Sequence, residues 1–153
     1  MAKFVSFFGR LLLALIFITS GLDKFSNFDA ETGGPSGKYM APKMDAFREA
    51  FAERTGIQFP LQKEQYPYII LASAFLEVVG SVLFVADSSV GALMLMVFLI
   101  GATPVMHNFW DVQDSTQISE MINFMKNLSI FGGLLAYTAA RREAEAVAKY
   151  KED

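Results

Sequence analysis

The stretch Thr103-Pro104-Val105-Met106-His107-Asn108-Phe109-Trp110 decides how the fold of this chain is interpreted. It follows a long apolar run and contains the only histidine and the only tryptophan of the sequence. A proline inside a helix removes a backbone hydrogen bond and kinks the axis, and tryptophan is enriched at membrane–water interfaces. We therefore interpret the stretch as the kinked, interfacial end of a transmembrane helix.

The apolar residues of the rest of the chain gather in similar runs. The chain has 153 residues, of which 53% are hydrophobic and 19% are charged, against about 25% charged residues in soluble domains. Runs of about 20 apolar residues are what a helix needs to cross a bilayer core of about 30 Å. The sequence predicts one membrane domain over residues 1–153, an all-α integral membrane protein built as a four-transmembrane-helix bundle. The predicted spans cover about 4–24, 66–86, 90–110 and 118–140.

The segment between the first two spans, residues 26–65, is too polar to cross a membrane and is predicted to cap the bundle. Gly33-Gly34-Pro35 indicates a turn, Pro42 is expected to open a short amphipathic helix, and Gly56 is expected to end it. The apolar side of that helix carries Met40, Met44, Phe47 and Phe51. The polar tail, residues 141–153, is expected in solvent, with helix continuing into it as one option.

Four spans place both chain termini on one side of the membrane. The basic residues close to the helix ends on that side are Lys3, Arg10, Arg141 and Arg142. Because basic residues are enriched in cytoplasmic flanks, we expect the termini on the cytoplasmic, matrix or stromal side. The first span is interpreted as a retained helix rather than a cleaved signal peptide.

Several polar residues fall inside the predicted spans and form the candidate site. A carboxylate such as Glu77 is costly near the middle of a membrane helix. Counting helical rise from the ends of the spans puts Arg10 about 5 Å from Glu77 in height, which predicts an ion pair between them. In the other half of the bilayer, His107 is expected to contact Asp23 or Asn123. The candidate intramembrane polar cluster consists of Arg10, Glu77, His107, Lys126 and Asn127.

Two interpretations of this cluster stay open. The residues either hold helices together, at about 1 kcal/mol for each interhelical hydrogen bond, or bind a small ligand such as a quinone or a lipid. A metal centre is not expected, because a single histidine and no cysteine give too few ligands. No glycine-rich phosphate loop or hydrolase motif is present, so no catalytic residue is predicted. The chain has no basic stripe, which argues against nucleic acid as a partner.

A resemblance to a known family rests on motifs in several parts of the chain. The motifs are Gly33-Gly34-Pro35, Pro42-Lys43-Met44-Asp45-Ala46-Phe47, Thr55-Gly56, Ser88-Ser89-Val90-Gly91-Ala92, Thr103-Pro104 and the run from Lys126 to Leu135. Together and in this order they resemble the HR-like lesion-inducing proteins of plants, within the wider DoxX-like group of four-helix membrane proteins. His107-Asn108-Phe109-Trp110 resembles the DoxX-like group more closely, since tyrosine and aspartate are expected in the plant proteins at His107 and Asn108.

The resemblance implies a photosynthetic or related eukaryote as the source and an organelle or endomembrane location. DoxX-like proteins include small subunits of quinone-linked oxidases and assembly or trafficking proteins. The leading hypothesis is therefore a non-catalytic accessory subunit or assembly factor of a larger membrane complex, in contact with the lipid bilayer and other membrane subunits. The alternative is a quinone- or small-lipid-binding component of an electron-transfer chain. No cofactor is required, and a bound quinone or lipid is the candidate. A transporter is disfavoured, because no inverted repeat is visible.

Overall fold

The computed structural model describes residues 1–112 and 114–151, and their secondary structure is entirely helical. The five α-helices of these residues are α1 (Ala2–Ser26), α2 (Gly34–Thr55), α3 (Tyr66–Val85), α4 (Ser89–Met106) and α5 (Gln117–Tyr150). A single 3-10 turn, Lys63–Gln65, precedes α3. The expectation of an all-α fold is confirmed.

Three of these helices, not the four predicted, are long and apolar enough to cross a membrane. They are α1, α3 together with its 3-10 turn, and α4. Helix α5 has the length but not the composition, because Glu120, Asn123, Lys126 and Asn127 fall in its first half. The expectation of a fourth apolar span at 118–140 is therefore not met by the composition of α5.

Helix α3 is the centre of the molecule, with α1 packed on one side and α4 on the other, while α5 packs against α4. Two glycines permit the close approach of these helices. A Cβ atom on Gly21 would lie 2.7 Å from Val78 Cγ2, and one on Gly91 would lie 2.2 Å from the backbone nitrogen of Phe84. The main core between the helices consists of Ala14, Phe17, Phe84, Ala92, Leu95, Met96, Leu99 and Leu134.

The capping helix α2 begins earlier than predicted. Gly33 and Gly34 adopt positive φ angles of 77° and 72°, and Pro35 lies in the first turn, where its missing N–H costs nothing. Pro42 lies inside the helix instead of opening it. The double glycine and Pro35 thus provide the stronger start signal, while Gly56, at a φ of 71°, ends the helix as predicted.

Helix α2 covers a second, smaller core. Met40 and Met44 are buried there with Tyr66 and Ile70 of α3. Phe47 and Phe51 of the predicted apolar side pack against Phe59 in the following loop, with ring centroids 5.6 and 5.3 Å away. The predicted apolar stripe is therefore the packing face of the cap.

The stretch Thr103–Trp110 is helical only as far as Met106, whereas the predicted span continued to Trp110. Helix α4 ends at Met106, and the backbone N–H of His107 caps it by donating to the carbonyl of Thr103. Phe109 and Trp110 lie in the following turn and pack edge-to-face on Phe124 of α5. At the other end of α5, the polar tail continues the helix as far as Tyr150.

Candidate functional site

The contact between α1 and α3 brings a lysine to the buried carboxylate. Gly21 lies against Glu77, since a Cβ atom on this glycine would be 3.0 Å from the Cβ of Glu77. One helical turn further, Lys24 Nζ lies 2.6 Å from Glu77 Oε2 and also donates to Ser20 Oγ at 2.6 Å. The two charged side chains are 9% and 1% exposed. This is a buried, hydrogen-bonded ion pair.

The predicted pairing of Arg10 with Glu77 is wrong. Arg10 lies at the opposite end of the bundle, where it forms an ion pair with Asp87 at 2.9 Å and donates to the carbonyl of Val85. The error lies in the register of the two helices. Aligning the predicted ends of the spans put Arg10 beside Glu77, whereas the close contact at Gly21 sets the helices so that Lys24 takes that place.

The unique histidine is paired with a residue of α5. His107 Nδ1 lies 2.7 Å from Glu120 Oε2, and Lys43 Nζ of α2 lies 2.7 Å from Glu120 Oε1. Lys43 also donates to the carbonyl of Met106 at 2.8 Å. Asp23, one of the expected partners of His107, instead accepts a hydrogen bond from Asn27 on the exposed side of α1. Glu120 thus replaces the predicted partners of His107, and Lys43 ties the cap to α4 through Met106 and to α5 through Glu120.

The remaining two predicted site residues separate. Asn127 donates to Thr103 Oγ1 at 3.2 Å, which links α5 to α4. Lys126 is exposed and donates to Asn123 of its own helix at 3.2 Å. Of the predicted cluster, Glu77, His107 and Asn127 come together, and Arg10 and Lys126 lie elsewhere.

A cavity of about 300 Å³ joins the residues that do come together. Its polar lining includes Ser20, Lys24, Glu77, His107 and Asn127. Apolar and aromatic side chains form the rest of the wall, among them Ile16, Phe17, Met40, Phe98, Leu99 and Ile130. The ammonium of Lys24 lies 5.6 Å from the ring centroid of Phe98. The cavity therefore combines a few fixed polar groups with apolar walls, which is the usual character of a small-molecule site.

Two hydrogen-bonding groups in the cavity have unused capacity. An ammonium has three donors, and Lys24 uses two of them, on Ser20 and Glu77. The Nδ1 atom of His107 is taken by Glu120. Among residues 1–112 and 114–151, its Nε2 atom has no hydrogen-bond partner. A bound molecule would thus meet one donor of Lys24 and one ring nitrogen of His107.

Sequence reasoning missed Lys43 as a site neighbour and Lys24 as the partner of Glu77. The signal for Lys24 was present: Ser20, Gly21 and Lys24 share one face of α1, and a glycine on that face marks the line of closest helix contact. Nothing in the sequence indicated that Lys43, on the polar side of the cap, would reach Glu120. In the part of the chain that the structure describes, no group of three or more histidine, cysteine, aspartate or glutamate side chains is arranged to hold a metal ion.

Comparison with known proteins gives one match. A family model described as HR-like lesion-inducing matches residues 2–140, which is nearly the whole chain. No curated protein and no solved structure matches. The resemblance noted in the sequence motifs is thereby confirmed: the chain belongs to the HR-like lesion-inducing family.

Proposed function

We propose that this protein is a non-catalytic membrane protein that binds one small amphipathic molecule, a quinone or a small lipid, in the cavity between the Lys24–Glu77 pair and His107. The observation that supports the proposal most strongly is a buried ion pair on the wall of an otherwise apolar cavity. Burying two charges costs free energy that replacement by apolar side chains would avoid. A role in recognising a ligand accounts for their presence.

The ligand class follows from the groups with unused capacity. The third donor of Lys24 suits an acceptor oxygen, and the Nε2 atom of His107, whose Nδ1–H donates to Glu120, suits a hydroxyl group. The aromatic side chains of Phe17 and Phe98 suit a flat ring. A quinone head group supplies the acceptor oxygen and the ring, and its hydroquinone form supplies the hydroxyl. A small lipid with an ester or hydroxyl head group shares the acceptors but not the ring.

We further propose that α5 crosses the membrane beside the three apolar helices, as in the four-helix bundles of the DoxX-like group. Glu120 contacts His107 near the start of α5, and Tyr137, farther along the same helix, contacts Asp87 in the turn between α3 and α4. The helical rise between Glu120 and Tyr137 is about 25 Å, close to the thickness of a bilayer core. Both termini would then share the basic, cytoplasmic, matrix or stromal side, in an organelle or endomembrane.

The test is mass spectrometry of the small molecules that co-purify with the protein. The wild-type chain is purified in mild detergent from the membrane in which it is expressed, and bound molecules are extracted and quantified per mole of protein. Glu77→Gln and His107→Ala are expected to lower the occupancy of one molecule at least tenfold. A quinone and a lipid are distinguished by their masses.

The matched control is Arg10→Gln, which changes an ion pair of the same kind at the other end of the bundle. We expect it to retain the wild-type occupancy. Equal occupancy in all four proteins, or no enriched small molecule in any of them, would contradict the proposal.

A second candidate function is that of an accessory subunit or assembly factor, and the surface of α5 favours it. Leu134 is the one buried residue among those of α5. The exposed large apolar residues in its membrane-length part are Ile118, Met121, Ile122, Met125, Leu128 and Leu135. Lys126 is exposed among them, and a lysine facing lipid is costly. A partner helix that contacts Lys126 would remove that cost.

Co-purification in mild detergent and in native lipid particles tests this second function. A stable partner is expected to be retained by the wild-type chain and lost when Ser129→Trp is introduced on the exposed side of α5. A monomer in several detergents and in lipid particles would contradict an accessory role. The ligand-binding proposal would be unaffected by that result.

A further inference from the structure

A second cavity, of about 280 Å³, lies between the cap α2 and helices α3 and α4. Its wall is apolar for most of its area and includes Met44, Phe59, Leu76, Val97 and Val105. It shares Met40, Phe98 and Ala102 with the first cavity, so these three side chains separate the two spaces. Ser73, the neutral polar residue of the wall, is satisfied by its own helix, where its hydroxyl donates to the carbonyl of Ile70 at 2.7 Å.

Arg48 is the one charged side chain that lines this cavity, among the residues that the structure describes. Its Nη1 atom donates to the hydroxyl of Tyr66 at 3.2 Å. Its Nε atom is buried and has no hydrogen-bond partner within residues 1–112 and 114–151. A buried guanidinium N–H without an acceptor is unfavourable, and it indicates a place for an acceptor that the protein itself does not provide.

The neighbouring carboxylate does not fill that place. Asp45 Oδ1 accepts from Tyr66, and Asp45 Oδ2 accepts from Lys63, each at 2.7 Å. The hydrogen bonds from Lys63 and Tyr66 also lower the pKa of Asp45. The distance from Asp45 to Arg48 is 3.7 Å, beyond a good hydrogen bond. Two cations thus share this one carboxylate, while Glu49, adjacent in sequence to Arg48, is exposed, so positive charge is in excess at the cavity.

The cavity is open to the outer surface of α3 and α4. Ala72, Val97 and Gly101 line it and are themselves exposed. Both α3 and α4 are apolar enough to cross a membrane, so a hydrocarbon chain could enter between them from the lipid side. Tyr66 and Arg48 lie at the end of α3 where interfacial aromatic and basic residues occur in membrane proteins.

We infer that the second cavity binds a single long-chain fatty acid, with the hydrocarbon chain in the apolar space and the carboxylate on Arg48. A planar guanidinium binds a carboxylate through two parallel hydrogen bonds, and the Nε atom is the donor left free for it. A cavity of about 280 Å³ suits one acyl chain rather than two. This inference is independent of the proposed function, because it concerns a different space and a different cation.

The test counts bound oleic acid by native mass spectrometry of the full chain in detergent. Wild type is expected to carry one oleic acid and no methyl oleate, which has the same chain without the negative charge. Arg48→Gln is expected to weaken oleic acid binding at least tenfold. Arg48→Lys, which keeps the charge but not the planar fork, is expected to retain part of the affinity. Equal binding of the acid and its methyl ester would overturn the role of Arg48.

A pair of glycine variants tests the position of the chain. A Cβ atom on Gly101, which lines the cavity, meets nothing within 4 Å, and the same holds for Gly132 of α5, which does not line it. Gly101→Leu should fill the opening and abolish oleic acid binding, and Gly132→Leu should leave it unchanged. Binding that survives Gly101→Leu, or a two-chain anionic lipid bound in place of the fatty acid, would overturn the inference. Glu77→Gln, which changes the first cavity, is expected to leave oleic acid binding in the second cavity intact. A failure of ligand binding in the first cavity can thus be distinguished from a failure of fatty acid binding in the second.

Discussion

The two ends of the bundle each hold an ion pair between α1 and the α3 region, but in different surroundings. At the end near the cap, Lys24 and Glu77 are 9% and 1% exposed and line a cavity. At the end near the termini, Arg10 and Asp87 are 12% and 57% exposed. Because solvent screens exposed charges, the same kind of ion pair contributes a different free energy to stability at each end.

The role of a buried polar residue therefore depends on its neighbours more than on its charge. The guanidinium of Arg10 forms an ion pair with Asp87 and donates hydrogen bonds to Ser6 and to the carbonyl of Val85. It thereby holds α1 to the end of α3 at the surface. Lys24 is enclosed among apolar groups and retains one donor for the cavity. The two ends are therefore expected to differ in stability as strongly as their burial indicates.

The largest effect is expected from Lys24→Met. Removing the lysine leaves the Glu77 carboxylate buried without its counter-ion, and breaking a buried pair in this way costs about 3–5 kcal/mol. The free energy of unfolding in detergent, from denaturant titration followed by circular dichroism, measures the loss. Adding Glu77→Leu to Lys24→Met should restore most of it, since replacing both charges removes the unpaired one. A loss that persists in the double variant would mean that packing, not charge, is responsible.

The second effect concerns the contact that ties the cap to the bundle. Glu120→Gln weakens the hydrogen bonds with both His107 and Lys43, and hydrogen bonds to charged groups contribute about 1.5–3 kcal/mol each. We expect a loss near the lower end of that range, because glutamine retains one acceptor. Glu145→Gln on the same helix, in an exposed pair with Arg141, is the control and should change little. Equal losses in both variants would contradict the assigned role of Glu120.

The third effect tests the register of α1 on α3. Gly21→Ala places a methyl group 2.7 Å from Val78 Cγ2 and 3.2 Å from the carbonyl oxygen of Ala74, and overpacking of this kind costs about 1–3 kcal/mol. Gly9→Ala adds the same methyl group where nothing lies within 4 Å, and should be neutral or slightly stabilising because alanine favours helix. Thermal unfolding in detergent compares the two. Identical melting temperatures would mean that α1 does not approach α3 at Gly21.

The smallest effect is expected from Asp87→Asn, at the exposed pair. Asparagine tolerates the positive φ of 68° that Asp87 adopts, so the substitution removes charge without straining the backbone. An exposed ion pair contributes about 0–1 kcal/mol, and the melting temperature should shift accordingly little. A loss as large as that of Lys24→Met would remove the distinction between the two ends.

The helical content of this chain could be predicted from sequence because apolar runs of membrane length leave few alternatives. The family could also be recognised, from Gly33-Gly34-Pro35 and the later motifs, and the family model confirms it. The apolar character of α5 was overpredicted, because its length was counted and the polar residues Glu120 and Lys126 were given too little weight.

The partners in the site could be predicted only in part, since they depend on register. Heights estimated from span ends carry the error of assuming that neighbouring spans end at the same level, whereas Arg10, in the third turn of α1, lies beside Val85 and Asp87 at the end of α3. That error exchanged Lys24 for Arg10 as the partner of Glu77. The contact of Lys43 with Glu120 depends on how the cap folds over the bundle, and no local pattern in the sequence encodes it.

The most direct test of a ligand in the first cavity uses the absence of cysteine from the sequence. Ile130→Cys places a single thiol on the cavity wall, and Leu135→Cys places one on the exposed side of the same helix. The rate of alkylation is measured in protein freshly purified in mild detergent and again after extensive delipidation. An occupied cavity predicts that delipidation accelerates alkylation at position 130 at least tenfold and leaves position 135 unchanged. Equal rates at position 130 before and after delipidation would contradict a bound molecule in the cavity.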